Sequence, residues 1–207
     1  MITVEEILNA FKDCVFEELT EYNYHNLIIS KIQFPVKFKY NNGVTKLVII
    51  PENEDFVIKI PLSGICEEDE FEYFSGVDSG DYCLEEATNY KVAKDFCVER
   101  FFAKTEYIGS VHGHPIYKQE RVATIFEDSK DSRHYHRKDT RDRCSKLGVN
   151  CFHACWIEDF LKYYTEEDLI RLDSFLTDYC IGDLHGGNLG YYEDGRPVIF
   201  DYSDFHD

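Results

Sequence analysis

The chain lacks several features that define large classes of protein. Its longest uncharged apolar run, LVII at residues 47–50, is far shorter than the ~20 residues that a membrane-spanning helix needs. The N-terminus carries Glu5 and Glu6, whereas a secretory signal begins basic and then becomes apolar. The sequence contains no internal repeat and no low-complexity tract. We therefore expect a cytoplasmic protein.

Positive charge is also scarce. The 40 acidic and 22 basic residues give a formal net charge of −18, which argues against nonspecific binding to a nucleic-acid backbone. One segment reverses this balance, because residues 130–146 contain seven Lys or Arg and only three Asp. The ordinary interpretation of this basic island is a solvated loop or exposed helix. The alternative is a contact surface for an anionic partner or for phosphate.

The eight cysteines do not form a disulfide framework. They are spread along 207 residues, whereas disulfide scaffolds are shorter and richer in cysteine, so we expect free thiols. Six Cys and His residues lie in a loose cluster, and zinc accepts both residue types, but their spacing matches none of the usual paired zinc motifs. We favour buried cysteines and surface histidines over a zinc site at His134, His136, Cys144, Cys151, His153 and Cys155.

The chain does have the apolar content for a core, at 43% hydrophobic residues with 16 Phe and 15 Tyr. Apolar periodicity predicts a first helix at residues 4–22, opened by a capping box between Thr3 and Glu6. Residues 41–43 (NNG) predict a hairpin turn between the first two strands. The other predicted elements are strands at 34–40, 44–50, 56–60, 101–108 and 115–122, helices at 82–98 and 166–179, and a hairpin at 188–201.

These elements predict an α+β fold with a boundary near Val122. Residues 1–122 form an N-terminal lobe with the first helix, five strands, and one further helix between the third and fourth strands. Residues 123–207 form a reduced C-terminal lobe that is helical from Ala123 until the closing hairpin.

The strongest chemical signal is the segment IGDLHGGN at residues 181–188, between the last predicted helix and the hairpin. Asp183 and Asn188 are five residues apart, and Asp201 follows Asn188 by thirteen at the end of an apolar run. Magnesium prefers carboxylate, carbonyl and water oxygens, and phosphoryl transfer needs a carboxylate beside the nucleophile. The alternative is a polar turn whose Asp and Asn bond their own backbone, but the matched third residue disfavours it.

The motif GDLHGGN resembles the protein-kinase-like superfamily, and it is most similar to the aminoglycoside and choline phosphotransferase branch. The resemblance implies a two-lobed fold with a five-stranded antiparallel sheet in the N-terminal lobe. It implies that Asp183 orients or deprotonates the accepting hydroxyl. It also implies that Asn188 and Asp201 are magnesium ligands.

The N-terminal half supports the same resemblance, because FVIKI at residues 56–60 is similar to the V-A-I-K strand. The family places there, at Lys59, the lysine that holds the α- and β-phosphates of ATP. Glu86 shares a helical face with Tyr90, Ala93 and Cys97, so we predict that it pairs with Lys59. Glu85 is the fallback partner, and a solvent-facing lysine with a surface glutamate is the alternative.

The resemblance is incomplete around the nucleotide. The sequence has no G-x-G-x-x-G loop, and Gly43 is the nearest equivalent, which offers fewer backbone N–H groups to phosphate. Residues 119–122, including Glu120 and Val122, match the segment whose backbone binds adenine in the family. Only six residues follow Asp201, so on this resemblance we expect no equivalent of the family's activation segment and substrate-binding helices. An acceptor would bind elsewhere, near the basic island or on a partner.

The sequence thus favours an ATP- and Mg²⁺-dependent phosphotransferase that acts on a hydroxyl of a protein or small molecule. The second hypothesis is a non-catalytic kinase-like binding module, which the short C-terminal region favours. The third is an acidic inhibitor or decoy that occupies a nucleic-acid-binding protein. The presence together of Lys59, Asp183, Asn188 and Asp201 favours the first hypothesis.

Overall fold

A computed structural model describes residues 2–43, 45–62, 81–124, 138–149, 157–182, 184 and 186–203. No helix within these ranges is long and apolar enough to cross a membrane. The helices are α1 (Val4–Ala10), α2 (Tyr82–Asp95), α3 (Lys138–Leu147), α4 (Ile157–Phe160) and α5 (Glu166–Asp178). The strands are β1 (Phe38–Asn42), β2 (Lys46–Pro51), β3 (Phe56–Pro61), β4 (Thr105–Val111), β5 (His114–Glu120), β6 (Ala123–Thr124), β7 (Leu189–Tyr191) and β8 (Pro197–Ile199).

The chain divides into two compact units. The first contains Met1–Ala87 and Thr105–Arg121, and the second contains Thr88–Lys104 and Val122–Asp207. The later segment of the second unit begins at Val122, near the expected boundary. The second unit also contains Thr88–Lys104, which the sequence analysis assigned to the N-terminal lobe.

The first unit is built on a five-stranded antiparallel sheet in the order β1-β2-β3-β5-β4, which confirms the α+β class and the strand count. The turn between β4 and β5 has only two residues, His112 and Gly113, with φ angles of 51° and 81°. Positive φ at both central residues is the type I′ geometry, whose twist matches that of paired strands. The turn is thus shorter than predicted, because residues 109–111 extend β4.

Three predicted strands begin later than expected, and one of them is β2, which begins at Lys46 rather than at residue 44. β1 begins at Phe38 rather than at residue 34. Pro35, which precedes the observed strand, has no backbone N–H to donate to a neighbouring strand. β4 begins at Thr105 rather than at residue 101, because Glu99–Phe101 forms a 3₁₀ turn. The hairpin turn between β1 and β2 also lies later, and it is closed by the N–H of Gly43, which donates to the carbonyl of Lys46 at 2.9 Å.

The two faces of the sheet have different chemistry. Side chains alternate along a strand, and residues directly opposite each other in an antiparallel pair share a face. One face is apolar and packs on α1 and the segment after it, through Leu47, Ile49, Phe56, Ile58, Ile60 and Ile116. The other face carries buried polar side chains at Lys46, Lys59, Thr105 and Gln119.

The first helix is much shorter than the predicted 4–22. The capping box between Thr3 and Glu6 is present, but α1 ends at Ala10. Beyond it, Glu18 has a φ of 54°, and the Asn23 side chain donates to its carbonyl at 2.7 Å. Such local side-chain to backbone bonds compete with a helix, and apolar side chains such as Phe11 and Leu19 are instead buried by an irregular chain.

The second unit has its own core, formed around α5. That helix spans nearly the predicted range and starts with a capping box between Thr165 and Asp168. Its apolar face is buried against aromatic rings of other segments, including Phe102, whose ring centroid lies 5.6 Å from that of Phe175. α2 ends at Asp95, short of residue 98, because a left-handed residue at Cys97 (φ 57°) stops it.

A small three-stranded sheet in the order β6-β7-β8 completes the second unit. The predicted hairpin is present as β7 and β8, with Leu189 opposite Ile199. The prediction that the chain is helical from Ala123 was wrong, because Ala123 and Thr124 pair with Tyr191 and Gly190. At Gly190, a Cβ atom would lie 2.5 Å from the carbonyl oxygen of Ala123, so β6 approaches too closely for a side chain.

The described cysteines are all free thiols, as expected, at Cys14, Cys83, Cys97, Cys144 and Cys180. Burial raises the pKa of the Cys14 thiol to about 11. Burial also raises the pKa of Cys83, whereas Cys97 and Cys180 are exposed. Because the thiolate is the reactive form, the buried thiols have little nucleophilic character near neutral pH.

We expect Gly190→Ala to destabilise the second unit by about 1–3 kcal/mol, because the new methyl group must displace the β6 backbone. The measurement is the denaturant midpoint. Gly182→Ala is the control, since a Cβ there meets nothing within 4 Å. Equal midpoints for the two variants would contradict the β6–β7 pairing.

We expect a thiol-specific reagent at pH 8 to modify Cys97 and Cys180 well before Cys14 and Cys83, because exposure controls access and burial suppresses the thiolate. Mass spectrometry of digested protein resolves the sites. Reaction in denaturant, where all four become equivalent, is the control. Reaction of Cys83 at the rate of Cys97 in native protein would contradict the fold.

Candidate functional site

The centre of the candidate site in the first unit is the carboxylate of Glu86, which α2 places in the interior with no exposed surface. Lys46 Nζ donates to Oε1 at 2.6 Å, and Lys59 Nζ donates to Oε2 at 2.7 Å. The ion pair predicted between Lys59 and Glu86 is therefore present. Lys59 is 3% exposed, which excludes a solvent-facing lysine. Glu85, the fallback partner, is only half-buried.

Two neutral side chains complete the surroundings of this carboxylate. Gln119 Nε2 donates to Glu86 Oε2 at 3.3 Å and to Thr105 Oγ1 at 2.7 Å. The Thr105 hydroxyl in turn donates to Glu86 Oε2 at 3.4 Å. Glu86 thus accepts from four donors on four different strands, β2, β3, β4 and β5. Together with Glu86 we call these residues the Glu86 network.

The strand register explains why these side chains meet. Lys59 lies opposite Val48, so Lys46, two residues along β2, shares its face at a diagonal position. Gln119 lies opposite both Val57 and Thr105, which places it on that same face. A one-residue slip of any of these strands would move its polar side chain into the apolar core.

The orientation of α2 explains why Glu86 faces the sheet. Its neighbours Cys83 and Ala87 are buried against Tyr117 of β5, and Ala93 is buried on the predicted face. Cys97, which was expected on that face, lies beyond the end of the helix and is exposed. Just before the helix, Asp81 accepts a hydrogen bond from the Tyr117 hydroxyl.

Burying these charges is costly, and the network offsets that cost with hydrogen bonds. Removing an ion from water costs several kcal/mol even after relaxation, and apolar replacements of a buried ion pair are often no less stable. A buried ionic cluster in an otherwise apolar fold is for that reason a candidate functional site. Sequence reasoning missed Lys46 and Thr105, and it placed Gln119 in the predicted adenine-binding segment rather than in this network. The available signal was a lysine near the start of an apolar strand, Lys46 of KLVII.

The second unit brings together Asn188 and Asp201, the two predicted magnesium ligands. Asn188 immediately precedes β7 and Asp201 follows β8 by two residues. The Asn188 carbonyl accepts from the backbone N–H groups of Phe200, at 2.9 Å, and Asp201, at 3.4 Å. An amide oxygen and a carboxylate suit the hard-ligand preference of Mg²⁺, so this donor set fits the ion. Asp183 lies outside the described residues.

Hydrogen bonds on the far side of Asp201 fix its backbone as well. Asn89 of α2 donates through Nδ2 to the Tyr202 carbonyl at 3.1 Å. The Tyr202 hydroxyl donates to the Ala103 carbonyl at 2.7 Å, and Ser203 donates to the Asp201 carboxylate at 3.4 Å. The position of Asp201 is thus set by backbone and side-chain bonds within the second unit. Asn89 is a further residue that sequence reasoning missed.

The predicted nucleotide contacts are scattered over several elements. Gly43 is exposed in the turn before β2, where its N–H is engaged with the Lys46 carbonyl. Glu120 is the exposed last residue of β5 and lies opposite Phe56. Val122 belongs to the second unit and is half-buried. Their roles in binding ATP remain predictions.

The alternative metal and partner sites find little support in the part of the chain that the structure describes. That part has no group of three or more His, Cys, Asp or Glu side chains placed to hold a metal ion. Of the loose Cys and His cluster only Cys144 is described, and it is buried. Of the basic island, residues 130–137 are outside the description and α3 contains the rest. There Arg143 pairs with Glu158 at 2.9 Å.

An open groove of about 660 Å³ in the first unit lies among other residues, including Cys14, Phe16 and His114. His114 stacks on Phe16 with ring centroids 4.7 Å apart, and its Nε2 is 3.0 Å from the Pro61 carbonyl oxygen. Burial lowers the pKa of His114. These contacts describe a packed imidazole, and none of the predicted site residues lines the groove.

We expect Glu86→Gln to destabilise the protein by about 3–5 kcal/mol, because it leaves two ammonium groups buried beside a neutral amide. Chemical denaturation measures the change. Glu85→Gln is the matched control on the same helix, with an expected change below about 1 kcal/mol because Glu85 is only half-buried. A larger effect at Glu85 than at Glu86 would contradict the network.

Comparisons with protein-family models and with curated proteins return no match to this sequence. Function is therefore inferred from the geometry of the described residues and from the motifs.

Proposed function

We propose that this protein has a two-lobed kinase-like fold and transfers the γ-phosphoryl group of ATP to a hydroxyl of a protein or small-molecule acceptor. The observation that carries the proposal is the buried pair of Lys59 and Glu86, joined at 2.7 Å across β3 and α2. The resemblance expects this lysine and this glutamate, and the pair occupies the polar face of the sheet.

Within this proposal, Lys59 binds the phosphates of ATP. An ammonium group already held in place by a carboxylate does not need to reorganise when the ligand arrives, so little free energy is lost in positioning it. Glu86 is then a positioning residue, since it contacts the lysine and not the nucleotide. Thr105 and Gln119 hold the carboxylate in turn, at 3.4 and 3.3 Å from Oε2.

Asn188 and Asp201 would hold the magnesium ion. When bound, Mg²⁺ would offset negative charge on the phosphate groups. The support is the hairpin that joins the two residues, in which the Asn188 carbonyl accepts the Asp201 N–H at 3.4 Å. Each side chain thereby starts from a fixed backbone position, which a metal site needs if its ligands are to reach one ion.

Asp183, by the resemblance, acts on the acceptor. Its carboxylate takes the proton of the acceptor hydroxyl as that oxygen bonds to the γ-phosphorus. The bond from the γ-phosphorus to the bridging oxygen breaks, and ADP leaves with that electron pair. The products are the phosphorylated acceptor, ADP and a proton on Asp183.

A second candidate is a nucleotide-binding module without transfer activity. The observation that favours it is the turn at Gly43, whose N–H is donated to the Lys46 carbonyl at 2.9 Å within the hairpin. A glycine-rich loop would instead direct several backbone N–H groups at phosphate. Weak backbone contacts would position the γ-phosphate poorly for transfer.

We expect calorimetric titration to show magnesium-dependent ATP binding that Asp201→Ala weakens at least about tenfold, because a metal ligand is lost. Asp178→Ala, an exposed aspartate at the end of α5, is the control and should bind like the unchanged protein. Absence of binding at millimolar ATP, or undiminished binding by Asp201→Ala, would overturn the proposal.

Conversion of ATP to ADP, with water or the protein itself as acceptor, separates the two candidates. Turnover that Asp183→Asn abolishes without loss of ATP binding would support transfer. Binding without ADP formation, in the unchanged protein and the variant alike, would favour the binding module.

A further inference from the structure

We propose that Lys46 is a second phosphate-binding residue, which acts with Lys59 as a pair of ammonium groups for the phosphate chain of a nucleotide. This inference rests on the proposed ATP site and extends it. Neither the motifs nor the resemblance assigns a role to Lys46, and the structure alone brings it to the site.

The two lysines make nearly the same contact with Glu86. Each donates to one oxygen of the same carboxylate, Lys46 at 2.6 Å and Lys59 at 2.7 Å. They lie on neighbouring strands and on one face of the sheet, in a diagonal relation that keeps their side chains within reach of a shared partner. Both ammonium groups are therefore held at the same carboxylate.

Exposure shows which of these groups an incoming ligand would meet. The Lys46 side chain is 7% exposed and that of Lys59 is 3% exposed, whereas Glu86 has no exposed surface. Of the carboxylate and its two lysines, only the lysine side chains have any exposed surface. A polyphosphate has several anionic oxygens along its length, and it complements a pair of adjacent cations.

A purely structural role gives a weaker account of Lys46. Buried ionic groups commonly add little stability over apolar side chains of similar size, so packing alone does not call for a charged residue at this position. A ligand-binding role explains an ammonium group there, because its charge lowers the free energy of the bound state.

The location of Lys46 would also allow its side chain to replace the backbone phosphate contacts of a glycine-rich loop. It is the first residue of β2, and it directly follows the turn that contains Gly43. The Gly43 N–H is engaged with the carbonyl of Lys46 itself, at 2.9 Å. A turn with a single glycine can direct few backbone N–H groups at phosphate. The ammonium group of Lys46 would supply a donor in their place.

The test compares Lys46→Met, Lys59→Met and the unchanged protein, titrated with ATP, AMP and adenosine in the presence of Mg²⁺. Lys39→Met is the matched control, because Lys39 lies opposite Ile50 on the same face of the sheet but is exposed. We expect Lys46→Met to lower ATP affinity roughly tenfold or more, as the loss of a charge-assisted hydrogen bond would. Adenosine affinity should stay unchanged, and AMP should fall between the two.

Three outcomes would overturn the inference. If ATP binds and Lys46→Met leaves its affinity unchanged, Lys46 has no phosphate role while the proposed function stands. If ATP and adenosine affinities fall by the same factor together with the melting temperature, the role of Lys46 is structural. If the unchanged protein binds no ATP, the proposed function fails and this inference fails with it.

Discussion

One buried carboxylate constrains the arrangement of the whole first unit. Glu86 is out of contact with water, so its charge has to be met by protein donors, and those donors come from four strands and reach it at 2.6–3.4 Å. Each of these four strands therefore presents one polar side chain to Glu86. The same register buries the apolar residues of the opposite face, so a slip of one residue would disrupt both.

In the second unit, the corresponding constraint is a hairpin. Asn188 and Asp201 are thirteen residues apart in sequence, and β7, a turn and β8 return the chain to its starting point over that distance. The backbone bonds from Phe200 and Asp201 to the Asn188 carbonyl close the loop. The thirteen-residue spacing is thus the length of a hairpin that returns Asp201 to the backbone of Asn188.

The sequence predicted what depends on local periodicity and missed what depends on distant pairing. The five strands and α5 follow from alternation and helical periodicity, whereas the partnership of Lys59 with Glu86 was predicted from the family resemblance together with the helical face that carries Glu86. Lys46, Thr105 and Gln119 enter the network only through strand register, which pairs residues far apart in the chain. The first helix was predicted too long, because an irregular chain can show the same apolar periodicity as a helix. β6 was missed, because a strand of two residues is too short to show alternation.

The Glu86 network and the glycine-poor turn are best understood together. Backbone N–H groups in a glycine-rich loop are fixed by the loop's own geometry, whereas a lysine has a long flexible stem and loses conformational entropy when it binds a ligand. Glu86 removes that disadvantage, because it holds both ammonium groups in place before any ligand arrives. On the proposed function, the rigid part of the phosphate site is an ion-pair network anchored on a helix, rather than a glycine-rich loop. Such a site does not require the turn between β1 and β2 to position the phosphates.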